Sequence, residues 1–419
     1  MLTVWQDTAV ISYAEALDLL LTRIAVLPAR TVGLAGASGA VTASAIAARL
    51  SVPGFANAAM DGYALHAEAS RAASAAAPVE LAVSGLIAAG TPAPRVQAQE
   101  VWEILTGAPV PDGLDAVVPL ERVTRRDGRD GTGPRILISE PLRSGQNIRQ
   151  AGEDFARGEI VVTRGTRLGP HHVMGLAACG VDELPVVRAP RVAVLTTGNE
   201  LRAQGTDLAP GQIRDANGPY LRSLLPQLGA ELTTVTTATD SAAHLREQLE
   251  ALATGADLVL TTGGVSAGRL DLLPAVVREL GGEVLLHKVA IRPGKPLLHA
   301  RLPGGVLLFG LPGNPLAVAV CMRFFVIPAL RALQGLAAEV PLPAFTTDAV
   351  RRRGALRFFA KAVLATDATG QRRVRILPGQ ESFRIAPLLS ANCWAIVPEG
   401  DGDIPAGGLL ETLPLYPDL

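Results

Sequence analysis

The sequence predicts a multidomain α/β protein: a doubly wound α/β domain over residues 189–334 with β-rich segments on either side. Three patterns lead to this. Between about 190 and 334, strand-like runs alternate with helix-like ones: RVAVLTTG, GPYLRSLLPQLG, AELTTVTTAT, SAAHLREQLEALAT, DLVLTTGG, DLLPAVVREL and GVLLFG. Beyond residue 335 the runs shorten to RFFAKAVLA, RRVRILPG and CWAIVPEG between turns, the pattern of a small β-barrel or sandwich. From about 80 to 145, short apolar runs (VWEILTGAPV, DAVVPLERV, RILIS) alternate with Gly and Pro.

Taken in order, Ser12 to Glu15 forms an S-x-x-E capping box that opens a helix over ALDLLLTRI. The Ala-rich stretches at 34–49 and 64–77 are expected to be surface helices and connections. Leu302 to Met322 is uncharged and long enough to cross a membrane, but Pro312, Gly313, Asn314 and Pro315 interrupt it. A strand, a polar turn and a buried helix fit it better, because a helix interior rejects such a turn.

At 419 residues the chain exceeds one core, and 48% hydrophobic with 18% charged residues is a folded composition. The net charge of −1 gives no global pull toward nucleic acid or an anionic membrane. The three cysteines, Cys179, Cys321 and Cys393, are far apart, so neither a disulfide framework nor a zinc knuckle is supported. With no basic, apolar leader at the N-terminus, a cytoplasmic location is expected.

The chemistry gathers at strand ends. Open α/β sheets bind ligands at the carboxyl ends of their strands. TTGNE (196–200), TTGGVSAG (261–268) and LPGNP (311–315) fall there. A glycine-rich turn either closes tightly or lets backbone amides approach an anion. LHKVAIRPGKPLL places Lys288, Arg292 and Lys295 close together, with Pro293 and Pro296 stiffening the turn around Gly294. Fixed cations suit a tetrahedral oxyanion, since little reorganisation accompanies binding. Asp61, Glu121, Asp154, Glu200, Asp215 and Asp271 are carboxylates beside small-residue turns; any one can be a turn or cap residue. Glu200 and Asp271 rank first as Mg²⁺ ligands, because both follow strand ends of the same sheet. HExxH and Walker patterns are missing.

NAAMDGYAL, TGAPVPDGLDAVVPLE, NIRQAGEDF, TTGNEL, IRDANGPYL, TTGGVSAGRLD, VAIRPGKP and LPGNPLA together resemble the MoeA-type molybdopterin molybdenumtransferases, similar also to the E domain of gephyrin. The likeness runs from about residue 10 to 400. It implies an N-terminal region (1–188) with an inserted β-rich subdomain at about 50–145, an α/β molybdopterin-binding domain (189–334) and a C-terminal β-barrel (335–419). It implies insertion of molybdate into adenylylated molybdopterin with release of AMP, assisted by Mg²⁺. It also implies an elongated homodimer with a shared cleft, and a molybdopterin adenylyltransferase and molybdoenzymes as partners.

Carried onto this chain, the resemblance gives Arg292, Lys295, Pro296, Lys361 and Ser382 to molybdate, and Gly263, Gly264, Val265 and Ser266 to the phosphates. Asp61, Glu200, Asp215 and Asp271 take metal or catalytic roles, with Lys295 joining Asp61, Glu200 and Asp271 at the reacting centre. Lys288 is a further cation for the same anions. The chain departs from its relatives at Asn199 (for Asp), Arg269 (for an acid), Arg292 (for Lys), Ala317 (for Ser) and Lys361 (for Arg). The last loses a bidentate fork. A non-catalytic molybdopterin carrier of the same fold is the alternative, to which the changes at 199, 269 and 361 give weight. A nucleotide pyrophosphatase is a further rival, opposed by the long N-terminal likeness and the RPGKP turn.

Overall fold

A computed structural model of the chain describes residues 10–97, 99–127, 133–239, 241–263 and 272–417. The chain forms two compact units, one of Thr31–Ser38 and Ser44–Pro185, the other of Met1–Arg30, Gly39–Ala43 and Val186–Leu419.

The smaller unit is built on a six-stranded sheet of Gly62–Leu65 (β1), Val79–Ile87 (β2), Val101–Ile104 (β3), Ala116–Pro119 (β4), Val123–Arg126 (β5) and Arg135–Ile138 (β6). Its order is β4-β1-β3-β2-β6-β5, antiparallel except between β2 and β3. Side chains alternate across it. Ala64, Ile104 and Val117 fill one face, and Tyr63, Leu65, Val118 and Ile136 fill the other. Gly62 has no substitute, because a Cβ there would collide with the Val118 carbonyl. The Ala-rich stretches correct the sequence expectation. Leu34–Gly36 and Ala67–Ser70 are 3₁₀ turns, while Val41–Thr42, Ile46–Ala47 and β1 are strands. Helix propensity yields here to interleaved Gly and Ser and to burial of small side chains on a sheet.

The larger unit begins with Tyr13–Leu21 (α1), whose capping box is formed: the Ser12 amide donates to Glu15, and the Glu15 amide donates to Ser12 Oγ. Its sheet comprises Arg191–Thr197 (β7), Glu231–Ala238 (β8), Leu258–Thr262 (β9), Glu283–His287 (β10), Leu298–Arg301 (β12) and Leu307–Leu311 (β13). Ile291–Arg292 (β11) leaves it between β10 and β12. The order is β8-β7-β9-β13-β12-β10, with β8, β7, β9 and β13 parallel and β12 antiparallel to both neighbours. The doubly wound expectation therefore holds for a sheet that is mixed at one edge. Val192 and Val194 face α1, Asn217–Gln227 (α2) and Pro315–Leu333 (α5). Ala193 and Leu195 face Ala242–Ala253 (α3) and Leu273–Glu279 (α4). Among the described residues α5 is the one helix long and apolar enough to cross a membrane, and 83% of its apolar window is buried inside the protein; it is a core helix.

The same unit carries a barrel of Leu342–Thr346 (β14), Arg357–Thr366 (β15), Arg372–Ile376 (β16), Cys393–Val397 (β17) and Leu409–Pro414 (β18). The order β15-β16-β14-β18-β17 closes through pairing of β17 with β15. Phe358, Ala360 and Ala362 point into it. Phe359 and Trp394 point out and join the α5 core, where Phe359 stacks on Phe324 at 3.7 Å. Strand β11 pairs in parallel with β15, Arg292 opposite Phe358. The α/β layer and the barrel thus share a core and a backbone ladder, and a cleft lies along their seam.

Candidate functional site: a cationic turn beside the strand ends

The cleft has a volume of about 410 Å³. Arg292, Lys295, Asn314 and Ser382 line it, with Pro293, Pro296, Gln380, Glu381 and Phe383. Arg292 and Lys295 are exposed, whereas Pro293 and Gly294 between them are buried. The turn is held from below. The Leu297 amide donates to the Gly294 carbonyl at 3.0 Å, and the Val289 amide to the Lys295 carbonyl at 2.9 Å. Gly294 has φ 107, and a Cβ there would lie 2.9 Å from Cys321 Sγ. Burial pushes the Cys321 thiol well up, so it acts as packing under the turn. Across the cleft the Asn314 side-chain amide donates to Ser382 Oγ at 3.0 Å, and the Leu316 amide donates to the Ser382 carbonyl at 3.2 Å. The Ser382 oxygen accepts this bond and its hydroxyl still has a proton to donate.

The turn of Asn314 leads directly to the strand ends. The Asn217 side-chain amide donates to the Gly313 carbonyl at 2.8 Å. A Cβ on Gly313 would lie 3.9 Å from the Cα of Gly263, at the end of β9. Gly263 has φ 89, and a Cβ there would sit 2.6 Å from the Thr197 carbonyl oxygen at the end of β7. Close backbone approach therefore explains this glycine. Its own N–H donates to Leu311 at 3.0 Å, so it serves the sheet and offers no amide to an anion. Asp215 accepts from the amides of Asn217 and Gly218, both at 3.0 Å, and fixes the start of α2. The exposed Glu200 carboxylate folds back over Gly198, where a Cβ would meet Oε2 at 2.8 Å.

Three family models cover the chain: the MoeA N-terminal region (domain I and II) at residues 11–180, a probable molybdopterin binding domain at 193–332, and the MoeA C-terminal region (domain IV) at 344–415. A molybdopterin molybdenumtransferase from Synechococcus elongatus is 36% identical over 416 residues, 96% of this chain and 99% of that protein. The chain belongs to the MoeA family of molybdopterin molybdenumtransferases. A Haemophilus influenzae molybdopterin molybdenumtransferase is 34% identical, covering 91% of this chain and 92% of its own. The crystal structure of a molybdopterin biosynthesis moeA protein from Pyrococcus horikoshii OT3 superposes with a TM-score of 0.81 at 29% identity, over 96% of this chain and 99% of that one. This is an enzyme family of molybdenum cofactor biosynthesis.

Within this MoeA-family chain the remaining expected residues fall in different places. Pro296 lies with Arg292 and Lys295 on the cleft wall. Lys288 sits on the approach to the turn with φ 72, outside the cleft lining, its amide donating to Leu297 at 3.0 Å. Lys361 is fully buried and is not among the residues lining the cleft, and its ammonium donates to the carbonyls of Gly379 at 2.7 Å and Arg384 at 3.0 Å. Burial pulls its pKa down. Asp61 belongs to the smaller unit, where the hydroxyl and amide of Thr106 donate to it at 2.6 and 2.7 Å and hold its carboxyl below the usual range. Gly264, Val265, Ser266, Arg269 and Asp271 lie outside the described residues. Asn314 and Gln380 were not singled out by sequence; an Asn between Gly and Pro at a strand end was the available signal for the first.

Among the described residues no three His, Cys, Asp or Glu side chains gather to hold a metal ion. Mg²⁺ asks for less: one or two carboxylates, with waters and substrate phosphates completing the shell. The solvent-facing Glu200 at a strand end fits that demand.

Proposed function

We propose that this chain inserts molybdate into adenylylated molybdopterin, releasing AMP and the molybdenum cofactor. The reading rests on one observation: Arg292 and Lys295, fixed on a single turn, share a cleft with the poised Ser382 hydroxyl and adjoin the glycine-lined strand ends. Molybdate and the substrate's phosphates are both anions, and bringing them together requires cations and dipoles to offset their repulsion. Arg292 and Lys295 would supply the charge for molybdate, with Ser382 donating to one oxo group. The pterin and nucleotide phosphates would be held by the stretch Gly263, Gly264, Val265 and Ser266. Glu200, with Asp271, would hold Mg²⁺, which when bound would polarise the phosphoanhydride and stabilise departing AMP. The dithiolene sulfurs come with the substrate, in keeping with three buried, unclustered cysteines. Asp61 and Asp215 would act through the turns they fix.

We further propose a cytoplasmic homodimer with a shared cleft, with functional divisions at 1–188, 189–334 and 335–419; light scattering on the purified protein tests the dimer. Partners on either side of the reaction would be a molybdopterin adenylyltransferase and molybdoenzymes. The deciding experiment incubates purified protein with adenylylated molybdopterin, Mg²⁺ and molybdate. Molybdate-dependent AMP release with formation of active cofactor is expected. Tight binding without AMP release would make the protein a carrier, and a quenched protein–nucleotide adduct would contradict catalysis by positioning alone.

A further inference from the structure

We infer that Lys361 is a positioning residue: its buried ammonium clamps the 379–384 loop so that the Ser382 hydroxyl faces the oxyanion turn. The inference rests on the reading of the cleft as the molybdate site, and it assigns to this lysine a role that involves no contact with the anion.

The geometry is that of a hook behind a wall. Along β15, Phe358 and Ala360 point into the barrel, so Phe359 and Lys361 share the opposite face. From there the ammonium reaches the Gly379 and Arg384 carbonyls, which bracket Ser382 and Phe383 on either side. Gln380 completes the attachment. Its side-chain amide donates to the carbonyls of Lys361 at 2.9 Å and Leu377 at 2.7 Å, and its Oε1 accepts from the Lys361 amide at 3.0 Å. The loop is thus tied to the barrel through Lys361 and Gln380, and to the α/β layer through Asn314 and Leu316. Ser382 lies where the two attachments meet.

A buried ammonium without a carboxylate in hydrogen-bond contact is costly, and an apolar side chain of similar volume would fill the same space more cheaply. What the ammonium adds is direction. Two carbonyls that would otherwise diverge are drawn to one point, and the loop between them has one conformation. A hydroxyl that must meet an oxo group gains from such fixation, because small misplacements weaken an oriented hydrogen bond strongly.

The test uses Lys361→Met, Ser382→Ala and the double variant in the full-length protein. Lys361→Met is expected to raise KM for molybdate about tenfold while kcat stays within about threefold. Added to Ser382→Ala, it is expected to raise that KM by less than about twofold more, since a clamp has nothing left to position. Lys361→Arg, which retains donors, is expected to recover part of the loss. Hydrogen exchange gives a readout independent of turnover: in Lys361→Met the 379–384 amides are expected to exchange at least about tenfold faster, with the β15 and β17 amides unchanged. Additive effects on KM, or unchanged exchange in the loop, would overturn the inference. If Lys361→Met does not fold, Gln380→Leu cuts the same attachment and is held to the same outcomes. Should Ser382→Ala and Arg292→Glu both leave the molybdate KM untouched, the reading of the cleft has failed, and the exchange experiment alone decides the clamp.

Discussion

Replacing Gly294 by Ala attacks the turn that carries Arg292 and Lys295 at the point that admits no side chain. Two costs combine. At φ 107 an L-residue is disfavoured by about 1–2 kcal/mol. The new methyl would also stand 2.9 Å from Cys321 Sγ and 3.0 Å from Ile291 Cδ1, both fully buried, and such overpacking costs about 1–3 kcal/mol. The sum is about 3 kcal/mol. Gly304 provides the control: its φ is 79, but a Cβ there meets nothing within 4 Å, so its change to Ala carries only the backbone cost of about 1 kcal/mol. Urea unfolding of the two variants should therefore differ by about 2 kcal/mol, read from midpoints at constant slope. Relief of the crowding moves the turn, and a shift of about 1 Å in Arg292 and Lys295 should lower kcat/KM for molybdate by about 100-fold. Equal destabilisation of both variants would refute the crowding argument. Gly294→Ala with normal molybdate use would refute the turn as the oxyanion holder.

Charge reversal at the cleft, Arg292→Glu or Lys295→Glu, should reduce kcat/KM for molybdate by about 10- to 100-fold, with thermal stability unchanged because both side chains are exposed; the loss should shrink as salt rises. Arg323, 2% exposed, binds Glu339 through two contacts of 2.8 Å and the Pro414 carbonyl at 3.0 Å, so Arg323→Met should cost about 3–5 kcal/mol in urea unfolding by stranding Glu339; a loss below about 1 kcal/mol would deny the bridge a structural role. His299 is buried against Phe309 with its pKa brought down to about 4 by desolvation. Its unfolded value of about 6.5 is higher, so its contribution is present above pH 6.5 and lost as pH falls toward 4. That makes about 3 kcal/mol of acid sensitivity, which His299→Gln should reduce in a pH series of unfolding midpoints.

How much of this was legible in the sequence depends on the range over which each feature is decided. The parallel strands β7, β9 and β13 are continuous apolar runs because both faces are covered, and that pattern is local. The RPGKP turn is legible for the same reason, since two prolines and a glycine declare a fixed backbone within five residues. The Ala-rich stretches misled because Ala permits both a helix and a tightly buried strand, and at β1 the choice follows from pairing with β4, far along the chain. The pairing of Asn314 with Ser382 joins residues 68 apart and leaves no local trace.

Lys361 shows where local reasoning stops. Alternation along RFFAKAVL does place it on the face of Phe359, away from the barrel interior. Whether that face meets an anion or a pair of carbonyls is decided by a loop 18 to 23 residues further on. The departures from the family pattern then separate by position. Arg292 for Lys falls on the cleft wall and keeps the cation there. Lys361 for Arg falls behind the wall, where an ammonium's divergent donors can serve two converging carbonyls without the planar fork that carboxylates and oxyanions favour. If Lys361 is the clamp inferred above, the position that the family resemblance assigns to the anion serves here to hold the loop bearing Ser382.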